Sequence, residues 1–443
     1  LPPKNSTIGV ILIFLMKKTL LPFLLFALSF SIVSAQTASK SYELRNGNFY
    51  NGINFTPATW YVAKGVFTKK APAKIDSVID LSGKFVIPPI GDAHCSSVAD
   101  NPSVANIVKA YAEEGAFYLQ ILSNTQEGRA EAEKLLNKSD SPEAIFGNGS
   151  LTCTLGYPFV KYEAPAQGIR NPSLIAERYE FLKQQRKMLG NGYWFIDSKE
   201  ALDANWEKIK AQKPGVLLIY LLDSQNKGGK ESGGLTPEVA KAIVKKAHKS
   251  GFNPKAIFEK SLKTSLRVYA YVETADDVRL GLQIGVDGFA NLPGHNWDGT
   301  GDLKKYELSD ADLQLLAKKK TAVVTLFSHG QTISARPAVQ EFHAKTLKRL
   351  FDSNVNLVLG SDDPQRTTRS ELNYWYTLGN LDDAAALKVL CENTPRAIFP
   401  YRKIGKIADG YEASFLVLND NPLQNILKIR AMAFKMKNGQ LVK

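Results

Sequence analysis

Between residues 88 and 401 short apolar runs alternate with amphipathic stretches, and this rhythm restricts the fold more than any other feature of the chain. The apolar runs end near His94, Leu122, Thr152, Leu222, Val272, Leu292, Ser328 and Asp362. Helical periodicity is expected over 103–114, 173–189, 236–250, 274–284, 308–319, 337–353 and 383–392. Buried parallel strands read as near-continuous apolar runs, and each needs a crossover to reach the next. The pattern therefore predicts an α/β fold of the (β/α)8, TIM-type barrel class. In such a barrel the chemistry sits at the C-terminal strand ends, so these end residues are the first to inspect.

The flanks have a different texture. Tyr42-Glu-Leu-Arg, Trp60-Tyr-Val and Ser77-Val-Ile-Asp-Leu are short strand-like runs, punctuated by Asn46-Gly47 and Lys64-Gly65. Ser414-Phe-Leu-Val-Leu and Ala431-Met-Ala-Phe repeat that texture near the end. Both termini are expected to build one small β-sandwich, from 36–87 and 402–443, beside a barrel over 88–401.

Residues 1–35 read as a leader. Met16-Lys17-Lys18 precedes an apolar stretch to Val33, and Val33-Ser34-Ala35 supplies small residues before Gln36. This is the layout of a secretory signal peptide, with the start at Met16, cleavage after Ala35 and residues 1–15 upstream of it. The apolar core from Leu20 to Val33 is shorter than the ~20 residues of a membrane span. No cysteine follows the small-residue box. A periplasmic or secreted protein with no stable membrane anchor after cleavage is expected. Cys95, Cys153 and Cys391 are too few and too odd in number for a disulfide framework, so buried free thiols are the default.

The formal net charge is +13. Its lysines are dispersed, as at Lys241, Lys245, Lys246 and Lys249 on one expected helix. No basic run interleaved with aromatics tracks a nucleic-acid backbone, which excludes that class of partner. A small-molecule substrate or ligand is the expected partner. Nothing in the pattern sets an oligomeric state.

The run Ile87-Pro-Pro-Ile-Gly-Asp92-Ala-His94-Cys95-Ser96 carries the sharpest chemical signal. Side chains alternate along a strand, so residues 94 and 96 share a face. Two histidines there would grip one cation, but the second position is Ser96. Asp92 lies on the same face, either orienting His94 or ending the strand in a turn. Cys95 faces away from His94 and reads as core rather than nucleophile. Among the five histidines, His94, His295 and His329 fall at or just after expected strand ends. Converging with Asp362, and with Cys95 as a soft ligand, they would form a mononuclear site; apart, His295 and His329 are loop residues. His248 and His343 lie on expected helices and read as surface or packing residues. Gly228–Gly234 is a flap over the site or a plain solvent loop.

Several segments together resemble the amidohydrolase superfamily, near its imidazolonepropionase-like and prolidase-like hydrolases. Residues 84–94 resemble the strand-one motif. Val272-Glu-Thr-Ala-Asp-Asp and Gly285-Val-Asp-Gly-Phe-Ala-Asn291-Leu-Pro-Gly are similar to strands five and six. Leu359-Gly-Ser-Asp362-Asp-Pro resembles the strand-eight acid motif, and Asn393-Thr-Pro-Arg-Ala-Ile-Phe the return toward the β-domain. The resemblance implies one or two divalent metals, commonly zinc, held by two strand-one histidines, a strand-four lysine, histidines of strands five and six and a strand-eight aspartate. By that correspondence His94 and Asp362 are kept as metal ligands, with Asp362 the catalytic proton shuttle. Ser96, Leu218, Tyr271 and Asn291 stand where ligands are expected, and Tyr157 where related enzymes often show histidine. Leucine has no lone pair, and neutral phenol or carboxamide is a weak ligand beside imidazole. An intact binuclear centre is therefore not expected; one zinc held by His94 and Asp362, with His295 and His329 as further candidate ligands, is the alternative. Tyr157, Tyr271 and Asn291 would instead line a polar, aromatic pocket that binds substrate. Two functions follow: an exported hydrolase of C–N bonds in cyclic amides, acyl-amino acids or dipeptides, or an inactive relative that binds a small molecule or partner at the barrel mouth.

Overall fold

The computed structural model describes residues 40–442 apart from 97, 253–263, 330 and 380. The expected leader over 1–35 lies outside the described residues. Chain order begins with β1 (Tyr42–Tyr50), β2 (Phe55–Ala63), β3 (Val66–Thr68), β4 (Ser77–Asp80) and β5 (Phe85–Ile87). The Asn46-Gly47 pair, expected as a turn, lies inside β1 as a register break against β2. Asn46 sits there at φ 59°, a left-handed conformation that asparagine tolerates and that a bulge needs. Lys64-Gly65, both at positive φ, makes the tight β2–β3 turn.

The chain closes with β18 (Phe415–Leu418), β19 (Met432–Lys437) and β20 (Gln440–Val442). These join the first strands in one eight-stranded sheet, ordered β20-β19-β18-β5-β1-β2-β3, with β4 beside β1. A two-sheet sandwich was expected; the strands instead hydrogen-bond into a single sheet that wraps its own core. Phe67 of β3, at one edge, packs on Phe415 of β18 with ring centroids 5.6 Å apart. Leu44, Val62, Val86 and Val417 fill the space around them.

The middle of the chain holds β6 (Ile90–Asp92), β7 (Ala116–Ile121), β8 (Glu143–Phe146), β9 (Ser150–Thr152), β10 (Tyr193–Phe195) and β11 (Leu217–Tyr220). A short antiparallel pair, β12 (Gly251–Phe252) and β13 (Thr264–Ser265), follows. Then come β14 (Val268–Tyr271), β15 (Gly288–Phe289), β16 (Ala322–Val324) and β17 (Leu357–Val358). The parallel strands form two sheets, β6-β7-β8 and β10-β9-β11-β14-β15-β16-β17, where one closed sheet was expected. The division falls at Gly147-Asn148-Gly149, where Asn148 takes φ 61° and separates β8 from β9. Single backbone hydrogen bonds still join the sheets, from Gly215 N–H to Phe146 O (2.8 Å) and from Ala93 N–H to Leu359 O (2.7 Å).

Helices cover the outward-facing intervals. Val104–Glu113, Pro237–Lys249, Ala275–Ile284, Asp310–Lys319 and Pro337–Asp352 occupy expected stretches. Thr274 with Asp277, and Ser309 with Asp312, close reciprocal capping boxes that satisfy first-turn amides. The expected helix 173–189 is instead two pieces, Pro172–Glu177 and Tyr179–Leu182. Its first piece buries no residue, so no tertiary contact sustains it through Arg178. The expected 383–392 helix continues past Lys388 as a π turn over Val389–Asn393. Among the described residues no helix is long and apolar enough to cross a membrane.

His248, in the last turn of Pro237–Lys249, sets Nε2 2.8 Å from Asp287 Oδ2. That hydrogen bond, more than any other influence, raises the imidazole above its ordinary pKa. Stability from the pair is therefore complete below the unfolded value near 6.5 and is lost as pH rises through the raised folded value. We expect His248→Gln to cost about 0.5 kcal/mol near pH 5, a modest figure because the pair is a third exposed. The cost should vanish near pH 9, as read by urea denaturation at both pH values. In the β-domain, Phe67→Ala should cost about 3–5 kcal/mol in the same assay. A loss under 1 kcal/mol would contradict the central place given to this ring.

Candidate active site

The end of β6 and the segment after β17 are stitched together backbone to backbone. The amides of Ser361 and Asp362 both donate to the His94 carbonyl, at 3.1 and 2.7 Å. Gly360 permits that approach, since a Cβ there would lie 2.8 Å from the Cβ of His94. Asp92, fully buried, holds the seam with its carboxylate. It accepts from the backbone amides of His94 (3.0 Å) and Ser361 (3.2 Å), and from Ser361 Oγ (2.7 Å), Tyr111 (2.8 Å) and Thr368 Oγ1 (3.0 Å). Burial pushes its pKa up to about 6, while the Ser361, Tyr111, His94 and Thr368 donors pull it back. Asp92 thus orients His94, but through the backbone rather than the imidazole.

His94 is buried, with Nδ1 2.7 Å from the Ala290 carbonyl. A carbonyl only accepts, so Nδ1 carries the proton. Nε2 then faces Asp362 Oδ2 at 3.5 Å. Burial pulls the His94 pKa down, against the attraction of Asp362. Asp362 itself sits at φ 38°, a conformation that costs a non-glycine residue about 1 kcal/mol or more. Burial raises its pKa, but His94, Lys161, His329 and His295 outweigh that and hold it below the usual carboxylate range.

His295 does reach this region. Its Nε2 lies 2.9 Å from the Tyr271 hydroxyl, and its Nδ1 lies 2.9 Å from Asn291 Nδ2 and 3.0 Å from Leu292 O. Burial pushes its pKa down to about 3. The ring of His329 comes within 6.4 Å of it, centroid to centroid. Tyr157, Tyr220 and Tyr271 form an aromatic wall, with Tyr157–Tyr220 at 5.2 Å and Tyr220–Tyr271 at 5.3 Å. Tyr157 is exposed and Tyr220 buried. Lys161, from the helix Phe159–Ala166, completes the mouth. Lys161 is exposed, and the nearby Tyr157, Tyr162, Asp362 and Asp100 raise its pKa above the ordinary lysine value.

Sequence reasoning missed Tyr220 and Lys161. Tyr220 was within reach, because it lies two residues beyond Leu218 on the same strand and hence on the same face. Lys161 had no comparable signal. His343, on Pro337–Asp352, is a core residue stacked on Phe327 at 4.1 Å, and burial pushes its pKa down to about 4. Cys95, Cys153 and Cys391 are buried free thiols. The loop 228–234 lies against the turn after β9, where Ser232 N–H donates to Leu155 O at 3.4 Å.

The donor set does not fit the divalent centre that the resemblance implies. Among the described residues no group of three or more histidine, cysteine, aspartate or glutamate side chains is disposed to hold a metal. His94 and Asp362 make two donors, one short of a catalytic zinc. His295 and His329 were the further candidates: both ring nitrogens of His295 are engaged by protein partners, and His329, its Nδ1 without a hydrogen-bond partner, does not complete a group of three with His94 and Asp362. Leu218 is buried with no donor atom, and Ser96 Oγ is buried without a partner.

No family model matches the chain. The ochratoxinase of Aspergillus niger is 23% identical over 200 residues, 43% of this chain and 40% of that protein. The chain thus spans about two fifths of the length of the curated relatives it matches. Among solved structures, a Xaa-Pro dipeptidase with bound methionine in the active site superposes with TM-score 0.66 at 14% identity, covering 91% of this chain and all of that one. An amidohydrolase gives 0.65 at 16% identity over 91% and 98% of the two chains. The A. niger ochratoxinase structure gives 0.64 at 17% over 91% and 95%. The chain therefore has the α/β fold of amidohydrolase-superfamily proteins, as its motifs imply.

Removing the seam should be costly. Asp92→Ala removes the acceptor shared by two buried amides and three hydroxyls, leaving Tyr111 and Ser361 only each other and Thr368 only the Gly91 carbonyl, and we expect a loss of about 2–4 kcal/mol by chemical denaturation. Wild-type stability in that variant would remove Asp92 from its structural role.

Proposed function

We propose that the protein is an exported hydrolase of C–N bonds in small amides, such as cyclic amides, acyl-amino acids or dipeptides, acting at the mouth formed by His94, Asp362 and Tyr271. The observation that carries this reading is the pairing of buried His94 with partly exposed Asp362 at 3.5 Å, kept at the cost of a left-handed Asp362. Strain of that kind persists where the surrounding structure enforces it, and it gathers at functional sites. The likeness to an ochratoxinase and a Xaa-Pro dipeptidase supports an amide substrate. Strands β6, β7, β8 (continued by β9), β11, β14, β15, β16 and β17 are read as the eight staves of one barrel over 88–401, with β10 paired outside them on β9 and the Ala93–Leu359 and Gly215–Phe146 hydrogen bonds as bridges. Residues 36–87 and 402–443 are its β-domain. The leader over 16–35 supports a periplasmic or secreted location.

In this reading Asp362 takes a proton from the attacking water and returns it to the leaving nitrogen. Lys161 and Tyr271 offer cationic and hydrogen-bonding stabilisation to the carbonyl oxygen as it gains charge. No step passes through a metal, because the donor set does not fit one.

A second reading is favoured by one observation: the groups standing at former ligand positions satisfy each other. Asn291 pairs with the Val272 backbone and with His295, which also reaches Tyr271. Such a mouth can bind a small molecule without reacting. The test is a hydrolysis screen of acyl-amino acids, Xaa-Pro dipeptides and cyclic amides with the mature chain. We expect turnover that Asp362→Asn lowers about 10²- to 10⁴-fold in kcat. Saturable binding without turnover would establish the second reading, and turnover indifferent to Asp362→Asn would refute the first.

A further inference from the structure

The polarity of the hydrogen bond between His295 and Tyr271 follows from the backbone. Val272 N–H can only donate, and it meets Asn291 Oδ1 at 2.9 Å, while Val272 O can only accept and meets Nδ2 at 2.7 Å. The Asn291 amide is therefore fixed, with its second N–H directed to His295 Nδ1 at 2.9 Å.

Were Nδ1 protonated, Nδ2 would face another N–H, and Leu292 O would be sought by Nδ1 (3.0 Å), Asn291 Nδ2 (3.3 Å) and the His295 amide (3.3 Å). A carbonyl has two lone pairs for those three donors. With Nδ1 as acceptor, each of those donors has a partner. Burial keeps the ring neutral, since its pKa is pushed down to about 3. A neutral imidazole with an unprotonated Nδ1 carries its proton on Nε2. Nε2–H then donates to the Tyr271 oxygen at 2.9 Å, and the phenol's own proton is directed to another acceptor. The exposed Asn296 amide is the other polar group at this hydroxyl. The phenol ring and the His94 ring stand edge to face, centroids 6.3 Å apart.

We propose that Tyr271 presents its O–H as a donor to the carbonyl oxygen of the substrate's scissile amide, with Asn291 and His295 as positioning residues that fix this polarity. The inference rests on the hydrolase reading, which it deepens: the preferred ligand offers an acceptor oxygen at this point, and an amine or guanidinium there is rejected.

The closing experiment has an arm independent of turnover. In protein labelled with ¹⁵N-histidine, NMR should show His295 as the Nε2–H tautomer, its resonance assigned by the shift that Tyr271→Phe produces. Tyr271→Phe, which removes only the hydroxyl, should lower kcat about 10²-fold with KM changed far less, as for loss of one oxyanion donor. Should no amide be turned over, the hydrolase reading falls, and binding of an N-acetyl-amino-acid amide decides this one, with Tyr271→Phe expected to weaken it about tenfold. An Nδ1–H tautomer, or an unchanged kcat and affinity in Tyr271→Phe, would overturn the proposal.

Discussion

The candidate site depends first on a buried carboxylate. Asp92 gathers two backbone amides and three hydroxyls at the seam between β6 and the segment after β17. An ionised carboxylate in the interior is tolerable only when donors replace its lost hydration, and here five do. What they hold in register is the pair that the chemistry needs, His94 on one side and Asp362 on the other. The carbonyl of His94 takes both following amides of the opposing strand end. The seam thus enforces the left-handed backbone of Asp362, which the residue alone would not adopt.

Above that seam, the positions at which the sequence resemblance implies metal ligands are occupied by groups that satisfy one another. Asn291 completes its hydrogen bonds on the Val272 backbone and on His295, and His295 spends its remaining nitrogen on Tyr271. Leu218 contributes only apolar surface. A cation introduced here would displace formed hydrogen bonds and gain weak ligands in exchange. Three phenols and Lys161 give the mouth a hydrogen-bonding, aromatic and cationic character instead.

Much of this was legible in the sequence. The strand ends at His94, Tyr271 and Asp362 follow from apolar runs, and Thr274 and Ser309 announce their helices with acids three residues later. The positions at which the resemblance implies ligands could be read one at a time because strand alternation fixes which residues share a face. Other features were hidden for physical reasons. Asn46-Gly47 has the composition of a turn, yet pairing with β2 on both sides converts it to a bulge. The 173–189 stretch has helical periodicity, but its first piece, Pro172–Glu177, buries no residue, while the second anchors itself through Leu182. Lys161 enters the mouth from a short helix interrupted by Pro165, and no local pattern marks it. His343 was open to a surface or a packing role, and its stacking on Phe327 decides for packing. The polarity of the Asn291–His295–Tyr271 relay depends on which Val272 atoms face the amide, which only coordinates supply.

Metal stoichiometry tests the central claim most directly. Mature protein would be equilibrated with zinc, dialysed against metal-free buffer and assayed by elemental analysis. The account predicts well under one ion per chain, because two donors do not close a site. One tightly held divalent ion per chain, lost in His94→Ala, would contradict it.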